Sequence, residues 1–148
     1  MTDAEPISQQ GADETARPAL DIHLEILLGV VLGSNDESHD SRMGISLVTA
    51  AGVISGTVVT RKTWHLRQAD RLEEAGATNI AEGFRMSEDM LDERFKKDEG
   101  EPPKFHRMYI NLIDAVIING ESTRTFDSLR IDMRKIIGWD LAQMRAEG

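Results

Sequence analysis

Gly44-Ile45-Ser46-Leu47-Val48-Thr49-Ala50-Ala51-Gly52-Val53-Ile54-Ser55-Gly56-Thr57-Val58-Val59-Thr60 decides the fold class. Two runs rich in Val, Ile and Thr, Gly44–Ala50 and Val53–Thr60, stand either side of Ala51-Gly52. Branched side chains suit a pleated, half-buried surface, and so short a connection reverses the chain, so the runs predict an antiparallel hairpin. Its turn needs a residue that tolerates positive φ, which Gly52 supplies. Gly56 falls inside the second run. Glycine there weakens a strand, and it marks a bend or a close backbone approach of the kind a small barrel needs to close.

On the N-terminal side, Leu20, Leu24, Leu27, Leu28, Val31 and Leu32 recur at helical spacing. Pro18 and Asp21 suit the start of that helix and Gly33 its stop. Residues 34–43 read as a polar loop. On the C-terminal side, residues 61–107 change character and read as a helical insertion. Leu66, Ala69 and Leu72 are spaced as on a helix, and Gly76 and Gly83 interrupt the pattern. Ser87 then has the character of an N-cap for a second helix carrying Met90, Leu91 and Phe95. Strands return at Met108–Ile118, closed by Asn119-Gly120. Over 129–137, Leu129, Ile131 and Met133 alternate with charged residues.

The chain has 148 residues and no cysteine, which excludes a disulfide framework, a zinc ribbon and a thiol nucleophile. Its net charge is −9, and residues 1–43 hold nine acids against two arginines, a share of −7. Residues 1–18 have little apolar content and are expected to be a disordered acidic tail, followed by one domain over 19–148. Acidic arms keep a protein soluble and repel nucleic acid and anionic lipid. The longest apolar run, Ile26–Leu32, is far short of the roughly 20 residues that span a bilayer. The N-terminus has Asp3 and Glu5 where a signal peptide carries positive charge. These features predict a cytoplasmic protein.

No catalytic or metal-binding constellation stands out. His23, His39, His65 and His106 have no metal-helix spacing. Asn35-Asp36-Glu37-Ser38-His39-Asp40 is oxygen-rich but lacks the EF-hand order of ligands. Asp89 and Glu93 lie one helical turn apart among Arg94, Lys96 and Lys97, as on an ordinary charged helix face. Trp64 and Trp139 are too few and too separated for a nucleic-acid stacking platform. The residues expected to carry function are instead Leu20, Leu24, Leu27, Leu28 and Val31. Their stripe either lies on the barrel's open end as part of the core or, being wider than a small barrel can cover, forms a partner or self-association face. No enzyme activity, metal or cofactor is expected.

The order of elements, an N-terminal helix followed by five bent antiparallel strands, resembles the Sm-like (SH3-like) barrel. Ser55-Gly56-Thr57-Val58-Val59 stands where such proteins bend the second strand. Tyr109–Ala115 looks like the third strand, and Ile131–Ile137 like the fourth and fifth with a minimal turn. The helical insertion then falls between strands two and three. Arg134-Lys135 stands where the family's RNA sites have an Arg-Gly pair, so RNA binding is not implied.

A second resemblance is to the gas vesicle accessory protein U family. It rests on Gly52–Val59, on Tyr109-Ile110-Asn111-Leu112-Ile113-Asp114-Ala115 and on Ile137-Gly138-Trp139-Asp140-Leu141. This implies a non-enzymatic cytoplasmic protein that influences vesicle assembly or clustering. Its expected partners are gas vesicle proteins or copies of itself in a homo-oligomer, with no nucleic acid and no membrane. An Sm-like RNA-binding subunit or oligomeric scaffold is the alternative.

Overall fold

The computed structural model describes residues 21–97 and 107–142, and the expected tail, Leu20 and His106 lie outside them. The elements in chain order are α1 (Ile22–Leu32), β1 (Met43–Thr49), β2 (Gly52–Val59), α2 (Arg61–Glu74), α3 (Thr78–Lys97), β3 (Tyr109–Asn119), β4 (Ser122–Asp132), a 3-10 turn (Met133–Lys135) and β5 (Gly138–Asp140). The five strands form one antiparallel sheet in the order β4-β3-β2-β1-β5.

The hairpin at the centre forms as its sequence requires, with Thr49 paired to Gly52. Gly52 has φ +118°, and a Cβ there would lie 2.4 Å from the Ile118 carbonyl oxygen. Only glycine satisfies both conditions. Gly56 bends the sheet. The β2–β3 register passes from Ser55↔Val116 to Thr57↔Ile113, so two β3 residues, Asp114 and Ala115, face one on β2. Asp114 takes φ +50° in this bulge, and a Cβ on Gly56 would come within 3.2 Å of the Ala115 Cα and of the Ile113 oxygen. A bulge of this kind increases local twist and re-aims a side chain.

One face of the sheet is covered by α1. The Asp21 carboxylate caps the helix, accepting from the His23 and Leu24 amides at 2.9 and 3.3 Å, and Gly33 ends it. Leu24, Leu28 and Leu32 are buried against Ile45, Leu47, Ile54, Val58, Ile110, Leu112, Ala115 and Met133. Each such side chain contributes about 1.5–3 kcal/mol of transfer free energy. The other face carries α2, on which α3 packs as an outer layer with little contact to the sheet itself.

Three expectations need correction. Among the described residues no ladder joins β4 to β5, so the sheet is open and not a closed barrel. Its two rims are separated because the 3-10 turn, capped by Asp132, carries the chain to the far side of β1, where Gly138–Asp140 pairs with Ser46–Val48. β4 begins at Ser122, seven residues before the expected 129; its exposed first half lacks the apolar alternation by which a strand is recognised. Gly83 and Ser87 lie inside one continuous helix, with the Ser87 hydroxyl donating to the Phe84 carbonyl at 2.8 Å. The break falls at Gly76 alone.

Candidate interaction surfaces

The sequence-predicted contact residues divide by face. Leu24 and Leu28 are 2% and 0% exposed and belong to the core. Leu27 and Val31 are half-buried at the edges of that contact. The open face of α1 is formed by Ile22, Ile26 and Val30, at 62%, 58% and 77% exposure. Residues 26–34 contain no charged side chain. A helix that is apolar all round is ordinarily covered all round, whereas α1 is covered on one side. The spacing of Ile22, Ile26 and Val30, i, i+4, i+8, was as legible as that of the leucines. The polar residues Asp21, His23 and Glu25 all sit in the first turn, however, and mark no outer side. The Trp139 indole N–H donates to Asp21 at 2.8 Å, tying the start of α1 to β5. That contact holds the Asp21 carboxyl below its ordinary range. Near this rim Val48, Ile137 and Leu141 are also exposed.

The opposite face of the sheet, where alternation places buried Val59, Ile113 and Val116, also carries a set of polar contacts with α2. Arg67 of α2 reaches the bulge: its guanidinium donates to Asp127 on β4 at 2.9 and 2.8 Å and to Asp114 at 2.8 Å. The Arg67 contact holds the Asp127 carboxyl below the ordinary carboxylate range, and the same contact raises Arg67. Gln68 donates to Ser128 beside it. At the start of α2, Thr60 caps the helix and bonds the His39 ring at 2.9 Å. Asp36, expected in a solvated loop, is buried. It accepts from the Arg61 amide at 2.6 Å and from Arg107 at 2.8 Å. Glu88 of α3, 1% exposed, takes Arg61 and His65 on a single oxygen. Lys62–Asp92 and Arg85 with Asp70 and Glu73 complete the α2–α3 seam.

The carboxylates Asp36, Asp127 and Glu88 are each engaged by arginine. No three His, Asp or Glu residues are grouped to hold a metal among the described residues. A groove between the end of α2 and β4 is lined by Arg71, Glu74, Thr125, Phe126, Asp127 and Ser128, which include no imidazole to act as a base. No helix of the described residues is long and apolar enough to cross a membrane.

Comparison with known proteins adds the decisive observation. The model of the family described as gas vesicle protein GvpU-like matches residues 21–144, from the α1 cap past β5. A search of curated proteins and a search of solved structures each gave no match. The matched span includes all three segments that carry the sequence resemblance, Gly52–Val59, Tyr109–Ala115 and Ile137–Leu141. The chain belongs to the GvpU-like gas vesicle protein family.

Proposed function

We propose that the protein is a non-enzymatic, cytoplasmic gas vesicle accessory protein that influences vesicle assembly or clustering through protein–protein contacts, made by the outward face of α1. The observation that carries this reading is the two-sidedness of α1 in a member of this family. Its leucine side is spent on the core, while Ile22, Ile26 and Val30 stand open on a stretch without charge. Exposed apolar area of this kind is a docking surface in soluble proteins, and its occupant here is a gas vesicle protein at the vesicle surface. The Leu24 and Leu28 positions support that surface from beneath, with Leu27 and Val31 at its margins. The bend at Gly56 supports an Sm-like (SH3-like) ancestry for the sheet, with β4 and β5 as its unjoined rims.

RNA binding is the weaker reading. A chain of net charge −9 gives little of the counterion release on which nucleic-acid affinity rests. The proposal is tested by mixing purified protein with isolated gas vesicles and measuring the fraction that floats with them and the size of the clusters formed. Co-flotation with growth of clusters is expected. Protein left wholly in the subnatant, together with tight RNA retention in a mobility-shift assay that weakens with salt, would replace this reading with the RNA one.

A further inference from the structure

We infer that the outer edge of β4 takes an extended acidic segment of a partner protein as an added strand. β4 is eleven residues long and ends the sheet. Among the described residues, no backbone group pairs with its outer side. Such a row of free N–H and C=O groups is a template for another chain.

The charge on this edge selects the chain. Arg124 lies over the Phe126 ring at 5.8 Å and Arg130 over the Tyr109 ring at 4.2 Å. Among the described residues neither has a carboxylate within ion-pair distance, Glu121 of the preceding turn and Glu74 of α2 included. The acids of the strand itself are already engaged, Asp127 by Arg67 and Arg71 and Asp132 by Arg134. A guanidinium stacked on a ring keeps its N–H fork free for a carboxylate. Arg124 pairs with Ile117, which packs against the core. Arg130 pairs with Asn111, which stands between core residues Ile110 and Leu112 and so points to the other face. The two cations therefore serve both faces of the edge, roughly 20 Å apart along the strand. Beside its middle, the groove at Arg71 and Glu74 gives room to a side chain of the incoming strand. A second β4 fits poorly. Laid antiparallel about Asp127, it would set Arg124 against Arg130 and Asp127 against Asp127, and like charges directly opposite are unfavourable.

The test titrates the 15N-labelled full chain with a peptide as long as β4, eleven residues. The peptide is built of Thr and Val, with a Glu-Glu pair near each end so that both faces carry acid. The same peptide with Lys for Glu is the control. The β4 amide signals are expected to shift, and the outward amides to gain protection from hydrogen exchange. A Glu peptide N-methylated at alternate residues, without the donors that meet the edge, is expected not to bind. R124E/R130E, with both substitutions at exposed positions, should weaken the Glu peptide about tenfold or more and favour the Lys peptide. The proposal is overturned if the Lys peptide binds wild type equally well, if the N-methylated peptide binds within about twofold of its parent, or if R124E/R130E keeps wild-type affinity. It is also overturned if the outward amides are already protected without peptide, since this chain or a second copy would then hold the edge. A single-stranded RNA that moves the same signals as strongly would overturn it too. None of these results bears on α1, whose test is vesicle co-flotation.

Discussion

The two faces of the sheet are covered in opposite ways. On one side Leu24, Leu28 and Leu32 of α1 lie on an aliphatic floor. On the other, the fully buried apolar residues of α2 and α3 among those described are Ala69 and Ala81, half-buried Trp64, Leu66, Phe84 and Leu91 add to them, and arginine, lysine, histidine and carboxylate pairs run through the seam. Apolar burial is non-directional and is not screened by salt as charge pairs are, so α1 contributes stability with little demand on orientation. Ion pairs contribute less, because exposed charge is screened, but they fix geometry. Arg67 bound to both Asp114 and Asp127 sets α2 over the bulge in one position. Both sides bury apolar residues, and the α2 side adds directional ion pairs that the α1 side lacks.

The contrast breaks most sharply at Leu28. Replacing this fully buried residue with alanine should cost about 2–5 kcal/mol, transfer and cavity together, and lower the melting temperature at every salt concentration. Glu88→Ala should cost less, about 1–3 kcal/mol, because the arginine and histidine it leaves behind retain access to water. Arg61 and His65 keep 22% and 20% side-chain exposure. Denaturant midpoints compared at low and high salt separate the two classes: the wild-type advantage over Glu88→Ala should shrink with salt, and the advantage over Leu28→Ala should not.

A smaller effect sharpens the same comparison through pH. Arg67→Ala should destabilise the chain by about 1 kcal/mol at neutral pH, a value reduced by the partial exposure of the pair. The Asp127 carboxyl in the folded chain titrates below its ordinary 3.8, chiefly because of Arg67. The linked stability is therefore complete above the ordinary carboxylate range and is lost as pH falls through the lower folded value. Wild type and Arg67→Ala should converge in stability in acid, while Leu28→Ala keeps its deficit. Urea titrations at neutral and acid pH read this directly.

Much of this was legible in the sequence, and its limits are physical. The hairpin at Ala51-Gly52, the bend at Gly56 and the Asn119-Gly120 reversal each depend on a local backbone demand that glycine announces. The Ile22–Leu32 helix showed itself by period. Its facing did not, because leucine and isoleucine occupy both sides and only the tertiary contact with Ile45 and Leu47 distinguishes them. β4 was legible only in its second half; Ser122, Thr123, Arg124 and Thr125 are exposed on an edge and carry no alternation. The buried pairs Asp36–Arg107 and Arg61–Glu88 join residues 71 and 27 positions apart. No sequence period encodes such a meeting.

The most direct test of the account is to separate the two sides of α1. In I26D/V30D both substitutions fall on exposed positions, and in L24D/L28D both fall on buried ones. Melting temperature and co-flotation with isolated gas vesicles are measured for each. The account predicts that L24D/L28D fails to fold, since two unpaired charges cannot be buried there, and that I26D/V30D melts like wild type yet stays behind when the vesicles rise. Co-flotation and clustering by I26D/V30D at the wild-type level, with its fold intact, would contradict the claim that α1 makes the contact.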